Sequence, residues 1–191
     1  MIEAQPLQIW TVGHSIRSSH SFIELLEQYG IQTIADVRRF PGSRRLPQYL
    51  SETLQASLAE HGIGYEWIEA LGGRRKASPG ASTSAWRNAS FRGYAEHLRS
   101  EEFAIGLQQL LTLATQRRTA MMCAEVLWWR CHRSMVADVL KFKGIEVLHI
   151  LDEQRVTIHP YTSPARQVDG CLSYDEGAGE SLKATTDSGS K

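Results

Sequence analysis

Apolar and polar positions change period several times along the chain, and the changes mark out its elements. Gln8 to Val12 (QIWTV) is a short apolar run of β type that stops at Gly13-His14-Ser15. Ser18 or Ser19 then offers a helix N-cap. Phe22, Ile23, Leu25, Leu26 and Tyr29 fall on one helical face, which Gly30 closes. Gln32 to Val37 predicts a second strand, ending in Asp36, Arg38 and Arg39. After a Phe40-Pro41-Gly42-Ser43 loop, Leu50, Leu54, Leu58 and Ala59 space a second amphipathic helix that stops at His61-Gly62. Tyr65 to Ile68 predicts a third strand, so the unit has repeated.

Leu71-Gly72-Gly73-Arg74-Arg75-Lys76 opens a long loop of Ser, Gly, Pro and Ala that runs to about Ser90, and loops of that length in a compact domain are commonly functional. A helical pattern resumes at Phe91, with Tyr94 and Leu98, and Ser100 before Glu101 and Glu102 restarts it toward Phe103, Leu107, Leu110, Leu111 and Leu113. Thr119 to Cys123 predicts strand four, Ser134 to Phe142 a helix ended by Gly144, and Ile145 to Leu151 strand five. Val156 to His159 is an edge-strand candidate. Alternating strands and helices predict an α/β fold of three layers: a mostly parallel sheet of about five strands with helices on both faces. One domain is expected over residues 1–166. Beyond Arg166 the apolar periodicity fades, and residues 167–191 are expected to be a disordered polar tail.

Composition adds little to this outline. Lysine plus arginine equals aspartate plus glutamate at 21 each, which gives no whole-chain steer toward nucleic acid or membrane. The segment from Arg38 to Arg99 is basic on balance, and the tail leans acidic. No apolar run is long enough to span a bilayer, and the first residues lack the features of a secretory signal, so a soluble cytoplasmic protein is expected. Three cysteines, Cys123, Cys131 and Cys171, are too few and too uneven for a disulfide scaffold.

In an open parallel sheet the loops that follow the strands gather along one edge, and ligands bind there. That rule brings together His14 and Ser15 from the first loop with Asp36, Arg38 and Arg39 from the second. Gly72, Gly73, Arg74 and Arg75 come from the third, and Cys123 and Glu125 from the fourth. The expected edge is net positive and carries carboxylates, a histidine and a thiol.

The blocks GHS, ADVRRFPGSRRLPQY, LGGRR, WRNASFRGYAEHL and MCAEVLWWRCHRSMVADVL, in that order, resemble the domain-of-unknown-function 488 family of bacteria and archaea. The resemblance extends from Thr11 to Arg166. It implies a compact α/β domain; the family has no agreed activity, and some members carry a DNA-repair label. One departure is Val126-Leu127, where the corresponding block often has a small residue or proline.

Candidate chemistry centres on Thr119 to Ser134. Cys131 stands at the start of a helix beside Arg130, His132 and Arg133, surroundings that stabilise a thiolate; the competing reading is a packed, inert thiol. Cys123 ends a buried strand, and Glu125, two residues on, points to the same side as a candidate general base or an ion-pair partner for an arginine. A phosphatase-like loop needs five residues between cysteine and arginine, one fewer than separate Cys123 and Arg130. By the usual ligand spacing, Cys123, Cys131 and His132 do not form a zinc site, so no metal is expected. A redox pair of Cys123 and Cys131 stays open. His14 either serves the site or simply bonds Asp36. Arg38, Arg39, Arg44, Arg45, Arg74 and Arg75 suit bidentate anion recognition or form a solvated basic face. Trp86, Trp128 and Trp129 stack on bases or close the core.

The expected function is that of a small enzyme acting on an anionic substrate, a nucleotide or nucleic-acid component. In it Glu125 and His14 supply acid-base work, and Cys131 or Cys123 acts as nucleophile or redox group. Ser15, Asp36, Arg38, Arg39, Arg74, Arg75 and Arg133 form the binding set. The alternative is a non-catalytic nucleic-acid-binding module, repair-associated, using the same edge. Nothing in the sequence specifies a cofactor or an oligomeric state.

Overall fold

The computed structural model describes residues 7–42, 45–79, 85–177 and 179–182. Arg44 and Ser43, and the stretch 183–191 of the expected tail, lie outside them. The elements are β1 (Gln8–Gly13), α1 (Ser19–Gln28), β2 (Thr33–Asp36), α2 (Ser51–Glu60), β3 (Gly64–Trp67), α3 (Ala89–His97), α4 (Glu101–Gln116), β4 (Thr119–Cys123), α5 (Arg133–Phe142), β5 (Glu146–Ile150) and β6 (Val156–Ile158). Three further short strands follow: β7 (Arg166–Val168), β8 (Cys171–Ser173) and β9 (Glu180–Ser181).

The main sheet has six strands in the order β3-β2-β4-β1-β5-β6. The first five are parallel, and β6 joins antiparallel to β5. Helices cover both faces, a three-layer α/β arrangement. α1 and α2 pack on one face through Phe22, Leu25, Leu26, Leu54 and Leu58, which meet Val12, Ile34, Ala120 and Met122 of the strands. α3, α4 and α5 cover the other through Tyr94, Phe103, Leu107, Leu110, Met135, Val136 and Leu140, over Ile9, Ala35, Met121 and Val147. Period-two alternation along each strand sends successive side chains into opposite cores. Each fully buried side chain of this size contributes about 1.5–3 kcal/mol. Local signals agree with the packing: the Ser18 hydroxyl caps α1 by accepting from Ser21 N, and Ser100 caps α4 by accepting from Phe103 N.

The chain beyond Arg166 departs from expectation. β7, β8 and β9 form a second, antiparallel sheet in the order β8-β7-β9. The turn between β7 and β8 is Asp169-Gly170, with φ of 48° and 75°. Two consecutive positive φ values are what a tight hairpin turn requires, and an Asp-Gly pair supplies them at little cost. Tyr174, directly after β8, is buried at 2% exposure and belongs to the α3–α5 core. A short strand with one buried aromatic leaves too little apolar period for a sequence pattern to register.

Among the described residues no helix is long and apolar enough to cross a membrane.

Candidate functional site

β1 and β4 lie side by side at the centre of the sheet, and the helices that follow them pack on opposite faces. Their carboxyl ends are joined by backbone: His14 N donates to Cys123 O at 2.9 Å and Ser15 N to Ala124 O at 2.9 Å. A Cβ on Gly13 would collide with the carbonyl of Glu125, so the small residue there admits the neighbouring loop of the same chain rather than a ligand.

Beside this seam opens a cleft of about 370 Å³. Its walls come from the loop after β2 (Arg38, Arg39, Phe40, Gly42), the loop after β3 (Gly73, Arg74) and the start of α3 (Asn88, Ser90, Phe91). The end of β4 (Cys123, Ala124, Glu125) and the approach to α5 (Arg130, Cys131, His132) complete them. Cys123 is delivered by strand register. Cys131 follows a single 3-10 turn, Trp128–Arg130, and its N–H donates to Trp128 O at 3.1 Å. Ser134 Oγ donates to Cys131 O at 2.9 Å, closing the first turn of α5.

The two thiols and His132 share one corner. Their ligand atoms lie within 4.8 Å of one another, and Cys131 Sγ stands 3.5 Å from His132 Nδ1. His132 Nε2 is 2.9 Å from the carbonyl of Val37, which accepts only, so Nε2 carries a proton and Nδ1 is the nitrogen turned toward the sulfurs. A Cβ on Gly73 would come within 2.6 Å of Nδ1, so glycine there lets the ring sit where it does. Burial works to raise the pKa of Cys131. The hydrogen bond from the Cys123 thiol, together with His132 and Arg133, outweighs it and holds Cys131 well below the ordinary thiol value. Cys123, as the donor in that pair and itself desolvated, is pushed well up. The two thiols are thus shifted in opposite directions, Cys123 upward and Cys131 downward.

The remaining candidates divide sharply. Glu125 is exposed and lines the cleft; Arg74 and Arg130 are exposed on its rim, and among the described residues neither guanidinium is engaged in an ion pair. Arg74 has φ of 57°, an uncommon backbone for a side chain of its size. Arg39 lines the cleft while pairing with Glu69 at 3.3 Å and Glu102 at 3.5 Å.

Six residues of the expected set do not face the cleft with free polar groups. Arg38, buried, is held by Asp36 at 2.6 Å and donates to Tyr49 O at 2.9 Å; Asp36 also accepts from Tyr65 OH at 2.7 Å. The guanidinium and carboxylate are thus internal partners two residues apart. Arg75 turns to Glu102 at 2.8 Å and to the carbonyls of Gly72 and Ala70, bracing its own loop. Ser15 contributes backbone to the β1–β4 seam. His14 is buried, stacked on Tyr49 with centroids 3.9 Å apart, and bonded to Ser15 O; burial above all lowers its pKa to about 4. It is a neutral packing group near neutral pH.

Arg133, at 1% exposure, donates to the carbonyls of Glu125 and Val126 and to Thr11 Oγ1. From Thr11 a buried chain continues: Oγ1 to His149 Nδ1 at 2.7 Å, His149 Nε2 to His159 Nδ1 at 2.9 Å, and His159 Nε2 to Asp138 at 2.9 Å. Trp128 stacks on His149 at 4.4 Å, closing this chain rather than standing free for a base. Trp86 likewise stacks on Phe91 at 4.8 Å, while Trp129 stays 48% exposed.

Sequence reasoning passed over Arg130, Asn88, Ser90 and Phe91 as cleft residues. The signal for the last three lay in WRNASF: Asn88 caps α3 by accepting from Ser90 N at 2.8 Å, and the helix start returns the long loop to the same edge. As a metal ligand His132 is judged in the sequence by spacing, which cannot see that a strand end and a helix start bring ligands together.

Fold and cleft define an α/β domain with a thiol–imidazole cluster under an arginine-bearing rim at the carboxyl edge of its sheet. The chain belongs to the family described as Domain of unknown function DUF488, whose profile matches residues 18–140. It has no match among curated proteins or among solved structures.

Proposed function

We propose that the protein is an enzyme that takes a small anionic substrate, a nucleotide or nucleic-acid component, into the cleft and acts on it with the Cys123–Cys131–His132 cluster. Glu125 supplies acid-base work, and Arg74, Arg130 and Arg39 hold the anion. The observation that carries the reading is the convergence on one cleft of a thiolate-stabilising corner with a carboxylate and two arginines that form no ion pair among the described residues. The start of α3 adds to it, because the first backbone N–H groups of a helix favour negative charge.

Glu125→Gln removes a proton-transfer group without changing size, so anion affinity is expected to hold while turnover is lost. Arg74→Ala or Arg130→Ala is expected to weaken anion binding about tenfold to a hundredfold, as for one charge-assisted hydrogen bond of about 1.5–3 kcal/mol. Nucleotides and sugar phosphates screened by thermal shift, then assayed for conversion, make the test. Salt-sensitive binding of oligonucleotides that disappears in the arginine variants, with no conversion of any bound compound, would replace this reading with the non-catalytic nucleic-acid module.

A further inference from the structure

Three donor atoms drawn from two elements meet at the corner of the cleft. Cys123 comes from the last position of β4, Cys131 and His132 from the residues just before α5. Among the described residues this is the one group of three ligand-type side chains whose donor atoms all lie within 4.8 Å of each other. We propose that Cys123, Cys131 and His132 bind one divalent cation of the zinc class, with the fourth coordination position open to the cleft.

The spacing fits a tetrahedral ion. Metal–sulfur and metal–nitrogen bonds of about 2.3 and 2.05 Å at a tetrahedral angle put the two ligand atoms about 3.6 Å apart. Cys131 Sγ and His132 Nδ1 are 3.5 Å apart. The imidazole is already turned for the task. Its far nitrogen is held by the Val37 carbonyl at 2.9 Å, the outer partner that fixes ring orientation in metal sites and leaves Nδ1 free. Sheet pairing of β4, the Trp128–Arg130 turn and the close fit of Gly73 keep the ligands in place.

Donor chemistry selects the ion. Two thiolates and an imidazole favour zinc-class cations over magnesium or calcium, which take oxygen ligands. Two thiolates also neutralise a divalent charge, so the arginines of the rim keep their positive charge for an incoming anion. Three protein ligands that line the same open cleft as Ala124 and Glu125 correspond to a reactive, not a closed structural, site. Metal capture stands on the three ligands alone; use of the open position by a water or a substrate oxygen rests on the enzyme reading above.

The test uses full-length, reduced, chelator-treated protein carrying Cys171→Ser, which removes the exposed third thiol. Titration with Co²⁺ is expected to saturate at one ion per chain, with a thiolate-to-cobalt charge-transfer band and strong tetrahedral visible bands that Zn²⁺ abolishes. Cys123→Ser and Cys131→Ser should each weaken binding and cut the charge-transfer intensity about in half or more, and the double variant should lose the band. His132→Gln should weaken binding about 100-fold or more, since even an outer-shell partner is worth 10–100-fold. Absence of the band, its undiminished intensity in Cys131→Ser, or its survival in the double serine variant overturns the proposal. Should the serine variants fail to fold, the protein with its natural thiols decides: Zn²⁺ must slow iodoacetamide alkylation of Cys123 and Cys131 but not of Cys171, and equal rates with and without Zn²⁺ refute it. One bound metal with no turnover of any anion removes the enzyme reading and leaves the metal site. Turnover by a protein that never takes up metal does the reverse.

Discussion

Tyr174→Phe isolates one atom of the segment expected to be disordered. The phenol oxygen donates to Asp138 Oδ2 at 2.8 Å, and the ring is buried at 2% exposure. Asp138, fully buried on α5, also accepts from His159 Nε2 at 2.9 Å, Thr162 N at 2.8 Å and Thr162 Oγ1 at 2.5 Å. Phenylalanine keeps the ring, its packing and its position near Trp86, and removes only the donor. A hydrogen bond to a charged group contributes about 1.5–3 kcal/mol, and the three remaining donors keep the carboxylate from being orphaned, so the expected loss is in that range. For a chain of this length it corresponds to a fall of roughly 3–12 °C in Tm. Urea unfolding at neutral pH, followed by far-ultraviolet circular dichroism, measures it, with an unchanged m-value showing that the unfolded reference is the same. A difference below about 0.5 kcal/mol, the size of an ordinary surface substitution, would refute the claim that Tyr174 secures the C-terminal sheet to α5.

Other outcomes follow from the same geometry. Gly73→Ala puts a methyl against His132 Nδ1 and is expected to cost about 1–3 kcal/mol of stability and to slow acid-pH alkylation of Cys131, read by peptide mapping after iodoacetamide; an unchanged rate would mean the ring does not support the thiolate. Stability should fall on acidification. Burial lowers His14 to about 4, and burial above all, with His159 and Arg133 beside the ring, lowers His149 to about 2. The unfolded chain takes up these protons below 6.5 while the folded protein refuses them, so the contribution is complete above that pH. It is lost at about 1.4 kcal/mol per pH unit per histidine as pH falls toward 4. Urea midpoints that stay flat from neutral to mildly acidic pH would contradict the burial of both rings.

Much of the main sheet was legible because its strands are short apolar runs bounded by Gly and polar residues, and its helices show one clear face. The strand-end rule also reached Cys123, Glu125 and Arg74. It failed at Arg38, and the expected binding set failed at Arg133, because the sequence displays a charge but not its partner. Asp36 captures Arg38 from two positions away, and Arg133 turns inward to Thr11 and the Glu125 carbonyl from a helix whose pattern marks that face as buried. Two cations counted toward an anion site are therefore internal struts. The β7–β8 hairpin went unread because polar composition outweighed Asp169-Gly170, a local turn signal that needs no apolar period.

The buried chain from Arg133 to Asp138 begins at a group that only donates and ends at one that only accepts. With both imidazoles neutral, one assignment satisfies every bond of the row: Arg133 gives to Thr11, Thr11 to His149, His149 to His159 and His159 to Asp138. Every bond then points the same way, and reversing any one would strand a lone pair against a lone pair. The positive end of the row is the Arg133 guanidinium, which donates to the Glu125 carbonyl behind the cleft, and its negative end is the Asp138 carboxylate. The buried Arg133 charge favours negative charge at Cys131 before any ligand arrives, and it needs no rearrangement to do so.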